Sequence, residues 1–466
     1  MNGSSSISIN AVQKHARNLL ADKSPVESVT HAEVLRAILE SLKPSDELKN
    51  RELKEKLLLV YTVRALLKTI EQGRFRLARK NDFVFVYNGC YWREIDRDAL
   101  RQFLSKAARQ LGVFDVTAEH YEFIDKLCKQ FFAAGYFEEV EADADKVLVN
   151  LRNGTFEITA TAQRLRPFNH ADFLKHQLHF DYDEKADAPL FRAYLDRVLP
   201  ELELQMIVAE YFGYVFTRNL KFEKALLLYG GGANGKSVMF DVMNALLGKE
   251  NTVNYSVSDL MQEHNRAQIA NKLLNYGSEI NAAMLSKDIF KTLVSNEPIM
   301  ARLKYGQSFQ MEHYAKLCFN CNELPRDAEQ TDAYFRRLLI VPFNVRIPDN
   351  EQDKSLAQKI IATELSGVFN WVLDGLKRLL RTGNFSDSQI VREAVKTYRD
   401  DSDSVACFLK EAEAEPNGLL KNVYKDYRDY SNESGLKPLG KQNFRKRLQA
   451  HGYSVEKIGN QMEVSR

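Results

Sequence analysis

The sequence predicts an α/β protein, and three observations carry that prediction. From about Ala225 to Pro348, short apolar runs (ALLLYG, KLLNYGSEI, KLCFNCN, RLLIVPF) alternate with helical segments. Crossover connections impose that alternation on a mostly parallel sheet. The first run enters a glycine-rich loop, YGGGANGKSVMF at Tyr229–Phe240, and SVMFDVMNALLG leaves it with helical periodicity. Further upstream, from Phe83, FVFVYNGCYWREI alternates around an Asn-Gly as a hairpin does, so a mixed α+β region precedes the core.

Taken in order, residues 1–75 read as a helical region, because EVLRAILESL and ELKEKLLLVYTVRALLKTIEQ place apolar residues at helical spacing. Residues 76–195 form the α+β region: the Phe83 hairpin, the helices ALRQFLSKAARQLG and YEFIDKLCKQFFAAG, then strand–turn–strand in VLVNLRNGTFEI. HFDYDEKADAPLF is polar, ends near a proline and reads as a connector. Residues 196–348 hold the parallel-sheet core, and 349–400 a helical segment. Residues 401–466 follow the acidic patch RDDSDSV. They read as three helices and two short strands joined at Gly459-Asn460, the order of a winged helix.

At 466 residues with 27% charged and 44% hydrophobic residues, the chain is a multi-domain globular protein rather than a disordered one. A net charge of +2 means that any basic surface is local. No apolar run reaches the ~20 residues of a membrane span, and the N-terminus lacks the apolar centre of a signal peptide. The five cysteines, Cys90, Cys128, Cys318, Cys321 and Cys407, are scattered and odd in number, which fits a reducing cytoplasm. Cys318 and Cys321 form a C-x-x-C inside an apolar run with no second pair at zinc spacing, so they read as strand residues.

Gly230, Gly231, Gly232, Ala233, Asn234, Gly235, Lys236 and Ser237 fit the eight-residue phosphate-binding pattern in full, with Val238 opening the helix behind them. Glycines let backbone amides turn inward around a phosphate, and the helix N-terminus adds partial positive charge. The pattern implies a nucleoside triphosphate and Mg2+, with Lys236 bridging the β- and γ-phosphates and Ser237 ligating magnesium, and by itself it does not separate kinases, GTPases, transporters and motors. Glu279 ends KLLNYGSEI, where a carboxylate meets magnesium and the attacking water. KLCFNCNELP offers an amide to orient that water. Asn320 and Asn322 share one strand face, and periodicity does not choose between them. Arg336 and Arg337 precede RLLIVPF's strand, where an arginine at a subunit edge can reach a neighbour's γ-phosphate.

The order and spacing of YGGGANGKS, NYGSEIN, LVSNEPIMARLKYGQSF, KLCFNCNELP and DAYFRRLLIVPF resemble superfamily 3 helicases of the AAA+ class. The chain is most similar to the phage/plasmid primase-helicase family and the related poxvirus-type proteins. FVYNGCYWREI, LVNLRNGTFEI, FDYDEKADAP and EYFGYVF resemble the domain before the motor, so the likeness covers roughly residues 80–466. The resemblance implies an AAA+ P-loop ATPase core with Glu279 as the magnesium-site acid and Asn322 as the sensor. It puts Arg337 in the finger position, with Arg336 as rival. It implies an ATP-dependent replicative DNA helicase of a phage, plasmid or mobile element, self-associating into a hexameric ring on single-stranded and forked DNA. Residues 1–75 are too short and too helical for a primase domain, so the expectation is a helicase without priming activity, for which a separate primase or initiator is a candidate partner. An ATP-dependent initiator or loader that does not unwind processively shares every one of these motifs. A small-molecule kinase has no use for a basic C-terminal unit.

Two segments are candidates for the DNA contact. In MARLKYGQSFQMEHYAK, Gly306-Gln307-Ser308 reads as a turn between two strands, with Lys304 and Tyr305 at its tip. In this superfamily such a hairpin projects into the channel, where an ammonium suits a phosphate and a ring suits a base. The third C-terminal helix carries Lys441, Arg445, Lys446 and Arg447, a second phosphate-facing set.

Overall fold

The structure is a computed structural model that describes residues 29–49, 53–80, 83–137, 146–218, 220–278, 288–304, 306–324, 331–412 and 416–466. It divides into two compact units, Met1–Tyr182 and Asp183–Arg466. Among the described residues no helix is long and apolar enough to cross a membrane.

In the first unit the helices α1 (His31–Ser41) and α2 (Glu55–Gln72) lead into the strands β1 (Arg76–Lys80), β2 (Phe83–Tyr87) and β3 (Trp92–Ile95). Helices α3 (Arg97–Leu111), α4 (Asp115–Glu119) and α5 (Tyr121–Ala134) follow, then β4 (Val147–Leu151), β5 (Gly154–Ile158) and β6 (Gln163–Arg166). Each trio of strands makes an antiparallel sheet in chain order. A capping box between Thr30 and Glu33 starts α1, and Asp96 caps α3 through the amide of Ala99. The expected Asn88-Gly89 turn joins β2 to β3, with Gly89 at φ 95° and the Asn88 side-chain Oδ1 accepting from the amides of Cys90 and Tyr91. No boundary falls at 75/76: Ile38, Leu66, Phe75, Val86, Leu104 and Phe131 share one core. Helical spacing reveals the apolar face of α1 and α2 but not its partner, and the partner is the segment that follows.

The second unit opens with α6 (Pro189–Val198) and α7 (Leu202–Tyr214). The expected 195/196 boundary cuts α6, which belongs with the core. Its N-terminal amides, at Leu190 and Phe191, donate to the buried Glu364 carboxylate. The core alternates as expected: β7 (Ala225–Tyr229), α8 (Lys236–Leu247), β8 (Thr252–Val253), α9 (Val257–Leu260), α10 (Glu263–Ala267), β9 (Leu274–Gly277) and α11 (Asp288–Val294). A hairpin, β10 (Ile299–Arg302) and β11 (Ser308–Met311), precedes β12 (Lys316–Cys321), α12 (Asp332–Phe335) and β13 (Leu338–Pro342). Five strands form one parallel sheet in the order β13-β7-β12-β9-β8. Ala225 to Leu228 are fully buried, as a strand covered on both faces must be.

Of the helices that follow, α13 (Leu356–Thr363) packs on α8, α14 (Leu365–Thr382) on α7, and α15 (Gln389–Asp401) on β13. The chain closes with α16 (Ser404–Glu411), β14 (Gly418–Leu419), α17 (Leu420–Glu433), α18 (Lys441–Ala450), β15 (Ser454–Ile458) and β16 (Gln461–Ser465). Its core joins Val405, Phe408, Tyr427, Phe444, Leu448 and Val464. Gly459 and Asn460 turn β15 into β16 as expected, and the short β14 makes a third antiparallel strand.

Lys316, which opens β12, is an apparent misfit. Its ammonium is buried without a hydrogen-bond partner among the described residues, 4.3 Å from the centre of the Tyr214 ring. Burial, aided by Lys221, pushes its pKa down to about 7 from the ordinary 10.5. The unfolded chain therefore holds a proton that the folded chain releases across that window. Folding stability rises with pH between about 7 and 10.5 and is flat on either side, by at most ~1.4 kcal/mol per unit. Lys316→Met should raise the melting temperature at neutral pH, with the gain shrinking as pH approaches 10. A melting series over pH 7 to 10 that shows a constant gain would refute this account of Lys316.

Candidate functional site

The site is built where β7 hands the chain to α8. Gly232, Ala233 and Gly235 take left-handed backbone conformations, with φ of 95°, 49° and 86°, which turns successive amides to one side. A Cβ on Gly231 or Gly232 would meet nothing within 4 Å. The rear of the loop is packed: a Cβ on Gly230 would lie 2.2 Å from Asn234 Nδ2, and one on Gly235 2.7 Å from Val198. The front is thus open to a ligand, while the α8 N-terminus supplies amides that have no partner within the helix.

Four bonds hold the loop backbone. The Gly230 amide donates to the Cys321 carbonyl (3.0 Å), Phe343 N–H to Tyr229 O (2.6 Å), Ile347 N–H to Ala233 O (2.7 Å), and the Tyr194 hydroxyl to Gly235 O (2.8 Å). Lys236 is only 6% exposed. Its ammonium donates to Gly230 O and, at 3.0 Å, to Asn234 Oδ1. Burial lowers its pKa. Ser237 is exposed on the next residue of the helix, and Val238 is half-buried.

Because β12 lies between β7 and β9, its C-terminal end stands beside the loop. Asn322 follows Cys321 directly and is exposed there, while Asn320 is half-buried and accepts from the Tyr276 hydroxyl at 3.1 Å. Occupancy by Tyr276 separates two asparagines that periodicity could not. β9 ends at Gly277, level with Phe319 of β12. Glu279 and Tyr305 lie outside the described residues. Cys318 and Cys321 are buried on β12, and burial pushes the Cys321 thiol up to about 12.

The arginine pair sits at the opposite end of the sheet, before β13. Five strand residues separate it from the loop's end, about 16 Å. The preference for Arg337 meets a physical obstacle. Arg337 is buried, donating from Nε and Nη2 to Ser295 Oγ (3.2 and 3.0 Å) and from Nη1 to Ala333 O (2.5 Å). Arg336 has a side chain 62% exposed, and among the described residues its ion pair is with Glu223 at 3.2 Å. Arg336 is the member of the pair that faces solvent.

The expected hairpin is present, with Arg302 opposite Ser308 and Lys304 exposed in its turn. Its base is braced by Arg266, which the sequence analysis did not single out. That side chain is buried, and it donates to the carbonyls of Met300 (2.9 Å) and Leu260 (3.0 Å). No local pattern marks it, since its acceptors are backbone atoms. On α18, Lys441, Arg445 and Lys446 are exposed, but Arg447 is not part of that face. It donates to the buried Asp403 at 2.6 Å, as the exposed set does not, and His451 lies 2.8 Å from the same carboxylate. Arg447 sits next to Leu448 and one turn beyond Phe444, so it turns inward with them. The exposed basic set on α18 is therefore Lys441, Arg445 and Lys446.

Fold and site together define an α/β protein whose parallel sheet carries, at the C-terminal end of β7, a glycine loop with an open front. Comparison with known proteins adds to this. Residues 63–200 match the family described as D5 N terminal like, and residues 228–337 match a family of unknown function, DUF5906. The chain is 22% identical over 325 residues to the putative helicase 121R of Invertebrate iridescent virus 3, a match over 61% of this chain and 34% of that protein. The chain therefore spans about a third of the length of that curated relative. Among solved structures, an apo A form of the NrS-1 C terminal region aligns with 87% of this chain and 98% of its own, at 12% identity and a TM-score of 0.48. Another apo structure of that region gives 13% identity, 89% and 99% coverage and a TM-score of 0.45.

Proposed function

We propose that this chain is an ATP-driven DNA helicase of the superfamily 3, AAA+ type, acting in replication of a phage, plasmid or mobile element as a hexameric ring. The observation that carries the reading is the separation of the glycine loop and Arg336 at opposite ends of one sheet. An arginine there cannot serve its own loop, but a head-to-tail ring brings it to the loop of the next subunit. The viral helicase-named relative and the D5-like region support the replication setting.

In this reading the loop amides and the α8 N-terminus bind the β- and γ-phosphates of ATP. Lys236 exchanges Gly230 O for phosphate oxygens and keeps Asn234 Oδ1 as an acceptor. Ser237 and Glu279 would hold magnesium, which would supply charge neutralisation for the phosphates. Asn322 orients the attacking water, and Arg336 steadies the charge that develops on a neighbour's γ-phosphate. Gripping of one DNA strand falls to Lys304 and Tyr305, on the hairpin between the β9 and β12 strands that flank the site. Lys304→Ala should abolish unwinding of a forked duplex and blunt the stimulation of ATP turnover by single-stranded DNA, with turnover in the absence of DNA as the control. Normal fork unwinding by Lys304→Ala would remove the hairpin from the motor.

The second reading, an ATP-dependent initiator or loader, is favoured by the C-terminal unit. Its helices and three-stranded sheet follow the order of a winged helix, and Lys441, Arg445 and Lys446 on α18 suit phosphates of a duplex. A chain that hydrolyses ATP on DNA yet never displaces a strand would decide for it.

A further inference from the structure

The amide of Asn234 does two things at once. Oδ1 accepts from the Lys236 ammonium at 3.0 Å, and Nδ2 donates to the Phe343 carbonyl at 3.0 Å. The side chain is 4% exposed, so both bonds are shielded from water. Gly230 has no room for a Cβ because this amide, and the same Phe343 carbonyl 2.5 Å away, occupy the space. Loop and side chain are built around each other.

Phe343 directly follows β13, whose Pro342 pairs with Tyr229 of β7. The Phe343 amide donates to Tyr229 O, and Ile347 just beyond donates to Ala233 O. The other end of the same strand begins after Arg336 and Arg337, where the Ala225 amide donates to Arg337 O. One short strand therefore runs from the arginine pair to the point where Asn234 is fastened.

We infer that Asn234 is a positioning residue: it fastens the Lys236 ammonium to the end of β13, so the lysine is held in register with the strand that begins at the arginine pair. The inference rests on the nucleotide reading of the loop. An ammonium on a four-carbon stem has many rotamers to lose. A buried, doubly bonded amide beside it narrows that freedom before a phosphate arrives.

The test is a double-mutant cycle on the full chain. Equilibrium binding of a fluorescent methylanthraniloyl ATP analogue with magnesium would be measured for the unmodified chain, Asn234→Ala, Lys236→Ala and the double variant. Asn234→Ala should weaken binding by about tenfold, the scale of one hydrogen bond to a charged group. If Asn234 acts through Lys236, adding Asn234→Ala to Lys236→Ala should cost little more. Full additivity, or a single-variant loss under about twofold, would overturn the inference. Asn234→Asp separates the two bonds, and it guards against a misfolded alanine variant. It keeps an acceptor for Lys236 but sets an oxygen against the Phe343 carbonyl. It should also bind weakly, and binding at the unmodified level would show that the tie to β13 is dispensable. If the unmodified chain binds no nucleotide, the reading of the loop itself fails, and the inference falls with it.

Discussion

Lys236→Ala should hydrolyse ATP at least ~10²–10³-fold more slowly than the unmodified chain, the cost of losing one donor aimed at developing charge, while melting almost normally. Both halves follow from the geometry. The ammonium is buried at the floor of an open loop. There it acts at lower effective dielectric than a surface lysine would. Its removal takes away the one side-chain charge in the loop and leaves the shape intact. The backbone is held by Cys321, Phe343, Ile347 and Tyr194, none of which needs the lysine. What the variant loses locally is the donor to Gly230 O and Asn234 Oδ1, and an open site lets water replace it. Steady-state turnover with a melting curve on the same sample checks the pair of expectations. Turnover at the normal rate would show that hydrolysis happens elsewhere.

The glycine loop was legible because its residue types encode backbone geometry directly. Left-handed φ at Gly232 and Gly235 and the helix that starts at Lys236 need no distant partner to be foreseen. The hairpin at 299–311 was legible for the same reason, through its turn. What could not be read is set by pairing across long stretches of chain. β12 follows β9 in sequence yet inserts between it and β7, and only that insertion brings Asn322 beside the loop. Arg336 and Arg337 are identical in type and adjacent, and what separates them is Ser295, remote in sequence, which takes Arg337 alone. Arg447 looked like its neighbours on α18 until Asp403 claimed it. Residues 29–75 looked separable because amphipathic helices show an apolar face without showing what covers it.

Arg336→Ala should bind ATP normally and hydrolyse it about 10³–10⁵-fold more slowly, the range an arginine supplied in trans contributes. The residue is well placed to be spent in this way. Its side chain is largely in solvent and its Glu223 partner is a surface contact, worth little and easily exchanged for a phosphate. Arg337 differs: its guanidinium is shared among Ser295, Ala333 and Glu223 within the same chain. Arg337→Ala should therefore lower the melting temperature by stranding those acceptors, because unsatisfied buried groups are costly. Mixing supplies the discriminating measurement. Arg336→Ala subunits keep a working loop, and Lys236→Ala subunits keep a working arginine. In a head-to-tail ring each junction pairs one subunit's loop with the next subunit's arginine, so an equal random mixture leaves about a quarter of junctions with both intact. Activity should reappear on mixing two preparations that are each nearly inactive. If subunits exchange and no activity returns, the shared site is refuted. If Arg337→Ala is the variant that keeps its fold, loses hydrolysis and is rescued by mixing, then burial in the isolated subunit has misidentified the finger.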